Sequence, residues 1–419
     1  MKIAIVNKFF FPKGGQDAVA LEEMKMLEKA GNEVAFFSMT HPNNPPSYIW
    51  ENYFADFVEF SNCGKEYNLL EKLQIAKNFI YNSKAAKKFE EFLKAFKPDI
   101  IHCHGIAHQL TYSILVIAKK YNIPVVQTLH DYQTICPNYT LMLGGREICN
   151  QQCTKSGYIP CIANKCVKNS LSTSILSSAE MFFNHNILNY TKYIDKFVSP
   201  SQFLADLVIK SGINRDKITI ISNSLPDIEK ISPNFESKDY FIFAGRLSFE
   251  KGVYTLLKAF KDLPEQKLLI AGTGPMEEEL KQYKSENNIN NVEFLGSVDR
   301  KILPEYINNS IALIIPSEWY ENQPMSIIEA FACGKSVIGC ATGGIPEMVI
   351  NDYNGFIFNM GNIDELKTNI VNLGRKTDKQ KTLGQNAYDF ALKNYNADKH
   401  INCLTKLFTD LLEAKNVLQ

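Results

Sequence analysis

Short apolar runs alternate with amphipathic stretches along the chain. Lys2–Val6 predicts a buried strand, the Gly-bearing segment after it a loop, and Asp17–Ala30, with Val19, Met24 and Leu27 at apolar positions, a helix. Glu33–Ser38, Asp99–His102 and Pro124–His130 continue the series of strands. Runs that are apolar throughout fit strands covered on both faces, and strands separated by helices predict parallel sheets built from βα units. The rhythm restarts after Asn223–Pro226. The polar segment Ser232–Asp239 reads as a linker, and Tyr240–Ala244, Lys267–Ala271, Asn291–Leu295, Ile311–Ile315 and Ser336–Gly339 as strands of a second α/β unit. The tail from Asp398 carries a helix pattern that can return to the first unit. The expected organisation is one doubly wound domain over residues 1–230, with a Cys-bearing insertion over 136–166, and a second over 231–397. A helix over 398–419 is expected to pack back on the first.

Open α/β sheets bind ligands beyond the carboxyl ends of their strands, and two such domains facing each other form a cleft. The unusual residues fall on those loops. After Tyr240–Ala244 comes Gly245-Arg246, then Lys251-Gly252 and a helix. Arg offers a planar fork to phosphate oxygens, Lys a point charge, and a helix N-terminus a partial positive field. Taken alone, Arg246 and Lys251 read better as solvated loop charges. Context changes that. Gly272-Thr273-Gly274-Pro275 and Gly296 follow the next two strands, where backbone can approach a ligand closely. The segment Pro316–Ala330 follows Ile311–Ile315 and leads into a helix pattern over Ser326–Cys333. Glu329 stands there in an apolar surround, where a carboxylate is costly unless hydrogen-bonded, and vicinal ribose hydroxyls would satisfy it. Glu321, on the loop before, can accept from sugar hydroxyls. Pro324 has no amide hydrogen, so the open amides facing phosphates must come from Gln323, Met325 or Ser326.

Gly245-Arg246…Lys251-Gly252, Gly272-Thr273-Gly274-Pro275, Glu321-x7-Glu329-Ala330 and Gly343-Gly344-Ile345-Pro346-Glu347 stand in an order that resembles retaining glycosyltransferases of the glycosyltransferase family 4 type. The resemblance covers nearly the whole chain and is strongest over 240–360. It implies the GT-B fold, two Rossmann-like domains across a cleft, and transfer of a hexose-type sugar from a UDP- or GDP-sugar to a glycan or lipid-linked acceptor. It gives Arg246 and Lys251 the donor diphosphate, Glu329 the ribose and Glu321 the donor sugar. It implies no divalent metal in catalysis, with the leaving phosphate taking the acceptor proton. One departure is Asn322-Gln323-Pro324, where many relatives carry a Gly-Phe-Gly run. This bears on sugar recognition more than on reaction class.

In the first domain Gly14-Gly15 lacks the G-x-G-x-x-G pattern, so dinucleotide binding is poorly supported. The resemblance puts this loop at the cleft, beside the donor phosphates. His130 ends a strand, and relatives carry a similar Thr-x-His. It is therefore expected to touch donor sugar or phosphate, not to act as a general base. His104 and Asp131 are the acceptor-side candidates. Cys136, Cys149, Cys153 and Cys166, with Cys161 among them, are spaced loosely enough for a structural zinc or for unligated thiols. Lys65–Lys97 reads as helices with eight Lys against four Glu, interspersed with Tyr67, Leu69, Leu70, Leu73, Phe79, Ile80 and Phe92. That pattern suits an anionic membrane or an ordinary solvated face.

Composition narrows the rest. The chain has 419 residues with 45 basic against 45 acidic, which argues against a nucleic-acid binder. No apolar run is long enough to span a bilayer, and MKIAIVNKFF is too short a match for a signal peptide, so the expected location is cytoplasmic, at most against the inner face of the membrane. A nucleotide-sugar epimerase would need acid/base groups that no motif supplies, and a glycogen-type phosphorylase a cofactor lysine site. A non-catalytic binding module would not need Arg246, Lys251, Glu321 and Glu329 together.

Overall fold

A computed structural model describes residues 1–58, 68–149, 153, 156–375 and 377–417. The first domain contains β1 (Lys2–Val6), α1 (Gly15–Lys29), β2 (Glu33–Phe37), α2 (Leu69–Ile80), α3 (Ser83–Phe96), β3 (Ile100–Cys103), α4 (Ser113–Lys120) and β4 (Val125–Thr128). A small excursion follows, with the antiparallel pair β5 (Met142–Leu143) and β6 (Glu147–Ile148), then α5 (Ile159–Ala163) and α6 (Leu171–Phe182). β7 (Lys196–Ser199), α7 (Gln202–Lys210) and β8 (Ile218–Ile220) close the domain. Its sheet is parallel in the order β2-β1-β3-β4-β7-β8.

The second domain runs β9 (Phe241–Ala244), α8 (Val253–Lys261), β10 (Leu268–Ala271), α9 (Glu277–Glu286), β11 (Val292–Gly296), α10 (Leu303–Asn308), β12 (Ala312–Ile315), α11 (Met325–Ala332), β13 (Ser336–Cys340), α12 (Ile345–Met348) and β14 (Gly355–Phe358). α13 (Ile363–Gly374) and α14 (Thr377–Asn394) complete it, and its sheet is parallel in the order β11-β10-β9-β12-β13-β14. Central strands read as continuous apolar runs because both faces are covered: every residue of Ala312–Ile315 and Ser336–Cys340 is buried.

Several boundaries differ from the sequence expectation. β1 keeps its expected bounds, β9, β10 and β12 start one residue later than expected, and β3, β11 and β13 end one residue later. α1 begins at Gly15 instead of Asp17, so the glycine pair caps the helix and does not form a loop before it. β7, β8 and β14 are additional strands, each only three or four residues long and one of several short apolar runs, so periodicity does not single them out.

The last helix, α15 (Ala397–Val417), leaves the second domain and lies against α1. Ile401, Leu404, Leu407 and Phe408 join Ile3, Ile5, Phe36 and Ile100 in one buried cluster on the first sheet. The chain thus crosses between domains twice, which ties their relative positions. Phe408 is fully buried, and Phe408→Ala is expected to cost about 3–5 kcal/mol. Urea unfolding should show this as a lowered midpoint, and an unchanged midpoint would mean that α15 does not support the first domain.

Candidate active site

The two halves of the second sheet diverge at β9 and β12, and the charged groups stand on the loops after these two strands. Gly252 has φ 68°, and a Cβ there would lie 2.0 Å from the carbonyl oxygen of Pro316, so only glycine lets the β9 loop press against the β12 loop. Gly272 approaches the β9 loop as closely, its Cβ position lying 1.8 Å from the Gly245 carbonyl oxygen. These backbone contacts hold Gly245 and Arg246 beside the Gly272–Gly274 turn. Gly296 ends β11, its carbonyl accepting from Gly272 N at 2.7 Å, and a Cβ on it would meet only open space.

Lys251 Nζ donates to Glu321 Oε1 at 2.7 Å, and Ser317 Oγ donates to the same oxygen at 2.6 Å. Burial pushes the Glu321 carboxyl up, but the Lys251 charge and these bonds outweigh it and hold the group below its ordinary value. The ammonium also lies 5.1 Å from the centre of the Trp319 ring. Arg246 is exposed and has no partner among the described residues, and its charge reaches the Tyr139 phenol of the first domain. On α11, Glu329 is partly buried with no hydrogen-bond partner among the described residues. Burial raises its carboxyl, partly offset by Arg300. Ile327 N donates to Pro324 O at 3.1 Å, which leaves the Met325 and Ser326 amides open at the helix start, while the Met325 side chain packs on the core.

The loop Trp319–Gln323 also reaches across the cleft. Tyr132 Oη donates to Tyr320 O at 3.0 Å, and Asn322 Nδ2 donates to the carbonyls of Leu129 and His130 at 3.2 and 3.3 Å. Ser201 Oγ donates to Asn322 Oδ1 at 2.6 Å. The side chain of Gln323 accepts from Asn223 N of the first domain at 2.6 Å through its Oε1, so it links the two domains. Glu347 accepts from the Gln202 and Phe203 amides at 2.8 and 2.6 Å, capping α7 from the opposite domain.

On the first-domain side, Gly14 is the N-cap of α1 and a Cβ on Gly15 would meet open space, so the start of this helix is accessible from the cleft. His130 is partly exposed there, and burial lowers its pKa to about 4, keeping the ring neutral. His104, expected as an acceptor contact, is 2% exposed and reaches the cleft only through His130, with His104 Nδ1 and His130 Nε2 2.8 Å apart. Behind them Glu23 Oε1 lies 2.7 Å from His102 Nδ1 and 3.8 Å from His104 Nε2. Asp131 lines a neighbouring cavity of about 670 Å³ with Lys8, Lys13, His108, Gln133 and Tyr139.

The comparisons with known proteins bear on this arrangement. The model of "Glycosyltransferase Family 4" matches residues 13–226, more than half of the chain, and that of "Glycosyl transferases group 1" matches 226–390. The chain belongs to glycosyltransferase family 4. A glycosyltransferase of Methanocaldococcus jannaschii is 26% identical over 313 residues, 75% of this chain and 76% of that protein. Among solved structures, sucrose-phosphate synthase from Thermosynechococcus elongatus superposes with TM-score 0.70 at 18% identity over 99% of both chains. Anabaena HepE in complex with UDP superposes at 0.65 and 18%, over 98% of this chain and all of that one. The fold is GT-B.

The transferase carries site residues that its sequence did not single out. Lys8, Lys13 and Lys168 all line the cavity and none has a carboxylate partner among the described residues. Only position marked Lys8, two residues beyond β1. His108 Nδ1 is 2.8 Å from Glu180 Oε2, a pairing that a separation of 72 positions hides. Among the described residues, the one group of three His, Cys, Asp or Glu ligand atoms within 4.8 Å of one another is Glu23, His102 and His104. Cys136, Cys149, Cys153 and Cys166 are free thiols and are not gathered into such a shell. Residues 150–152 and 154–155 of that insertion, and Lys65–Tyr67 of the basic stretch, lie outside the described residues.

Removing Lys251 would leave Glu321 charged, only 8% exposed and unpaired. Lys251→Met is therefore expected to destabilise the transferase by about 3 kcal/mol or more. Adding Glu321→Gln should recover part of the loss, because both partners are then neutral. Denaturant unfolding of the single and double variants measures this, and a Lys251→Met protein as stable as the parent would contradict the pairing.

Proposed function

We propose that this transferase moves a hexose-type sugar, with retention of anomeric configuration, from a UDP- or GDP-sugar to a glycan or lipid-linked acceptor of the cell surface. The observation that supports the donor site best is the convergence of complementary unpartnered groups at the switch point of the second sheet. Among the described residues the Arg246 guanidinium on one loop has no partner, and the Glu329 carboxylate on the facing helix has no hydrogen bond. A nucleoside diphosphate offers phosphate oxygens to the first and ribose hydroxyls to the second. Lys251, the Met325 and Ser326 amides and the α1 start with Gly14 and Gly15 add positive field where charge collects on the departing diphosphate. In this reading the leaving phosphate takes the acceptor proton and no metal is needed. His130, neutral, touches the donor sugar.

The 670 Å³ cavity is the proposed acceptor site. Phe9, Phe57, Ile75, Phe79 and Leu176 wall it, and Lys8, Lys13 and Lys168 face it, with Asp131 the single carboxylate among the described residues that line it. Apolar walls with surplus positive charge suit an acceptor that joins a phosphate to an apolar chain. α2 and α6, which flank the cavity, also carry Leu73, Leu171, Ile175 and Phe182 on the outside at 46–59% exposure. No helix among the described residues is long and apolar enough to cross a membrane. Such a face suits contact with a bilayer surface and supports the reading that the enzyme works there.

The donor reading predicts a raised melting temperature with one of UDP, GDP or ADP in the absence of metal, lost in Arg246→Ala. No shift with any nucleotide in a folded sample would count against it. The acceptor reading predicts that Lys8→Gln with Lys13→Gln raises KM for a prenyl-phosphate-linked acceptor while leaving the nucleotide shift intact. An unchanged KM would remove the lysines from acceptor binding.

A further inference from the structure

Glu23 of α1 is 1% exposed and, among the described residues, is the only carboxylate in a nest of histidines drawn from three other places in the fold. His102 and His104 come from β3 and the residue after it, His130 from the end of β4, and His400 from α15. His102 Nδ1 stands 2.7 Å from Glu23 Oε1, and His102 Nε2 is hydrogen-bonded to Thr128 Oγ1 at 2.8 Å. His400 Nε2 stands 3.5 Å from Glu23 Oε2, and His400 Nδ1 donates to the Ser222 carbonyl at 2.8 Å. His104 Nε2 faces Glu23 Oε1 at 3.8 Å.

A carboxylate presents lone pairs, so a ring N–H beside it is favoured over a ring lone pair. His104 Nε2, 3.8 Å from Glu23 Oε1, is beyond hydrogen-bond reach of it, but the field of the buried carboxylate favours hydrogen on that nitrogen. In a neutral ring the other nitrogen is then an acceptor, so His104 Nδ1 accepts across its 2.8 Å contact and His130 Nε2 must donate. The remaining nitrogen of His130, Nδ1, is left bare. It has no partner among the described residues, on a ring that is partly exposed at the cleft.

We propose that Glu23 and His104 are positioning residues that fix His130 in the Nε2–H tautomer, so that it presents an acceptor lone pair to the cleft. This rests on the reading that His130 faces the donor sugar. A sugar hydroxyl can then donate to His130 Nδ1, and the ring need not turn or exchange its proton as substrate arrives. The opposite tautomer would set a lone pair of His104 against the carboxylate and aim an N–H at the sugar.

The test is the long-range 1H–15N spectrum of the histidine rings in the full chain, with His130 assigned by comparison with His130→Gln. The expected result is hydrogen on Nε2 of His130. Hydrogen on Nδ1 would overturn the proposal, and so would stoichiometric zinc in the purified protein, displaceable by chelator with a change in the His102 and His104 signals. A second arm uses His104→Asn, which breaks the link to Glu23. The expected outcome is a kcat lowered at least about tenfold, with nucleotide affinity unchanged. Parental kcat would overturn the positioning role. Loss of nucleotide binding in the parent chain would instead fault the donor reading and leave the tautomer measurement standing.

Discussion

A buried carboxylate must be paired, and the way Glu321 is paired organises the cleft. Its side chain takes Lys251 and Ser317, so the cation after β9 and the loop after β12 are fastened to each other. Its backbone carbonyl accepts from Gly344 at 2.7 Å, and a Cβ on Gly343 would lie 2.0 Å from that oxygen. Three strand-end loops of the second domain therefore meet on one residue. The residues on either side of Glu321 then carry the constraint outward, Tyr320 and Asn322 to the first domain.

This explains the Asn322-Gln323-Pro324 departure in physical terms. A Gly-rich run would leave the loop free at that point. Here Asn322 uses both ends of its amide, donating to the Leu129 and His130 carbonyls and accepting from Ser201. Gln323 accepts from Asn223, close to where the chain crosses between domains. The residue that fixes the His130 backbone thus sits next to the carboxylate that fixes Lys251. Donor-side charge and first-domain histidine are placed by one loop, and α15, returning to the first sheet, limits how far the domains can part.

Much of this was legible in the sequence, because the GT-B architecture is written in runs of apolar residues and in loops with a fixed order. Arg246, Lys251, Glu321 and Glu329 could be found because each stands at a strand end or in an apolar helix, where its residue type is out of place. What stayed hidden depends on distance along the chain. His104 looked like a cleft residue because it ends a strand. Only the fold shows Glu23, 81 positions earlier, and His130, 26 later, on either side of it. The side-chain bond of Gln323 to Asn223 in the other domain was hidden in the same way. The lysines of the 670 Å³ cavity carry no local pattern at all. Very short strands such as β8 have too few residues for a period.

The central claim is that the β9 and β12 loops form a site for a nucleoside diphosphate. Titration calorimetry comparing the nucleoside diphosphate with its nucleoside, on the parent chain and on Arg246→Ala, tests it most directly. The account predicts that the diphosphate binds far more tightly than the nucleoside, and that this advantage collapses when Arg246 is removed. Equal affinity for the two ligands, or an advantage that survives the loss of Arg246, would contradict it.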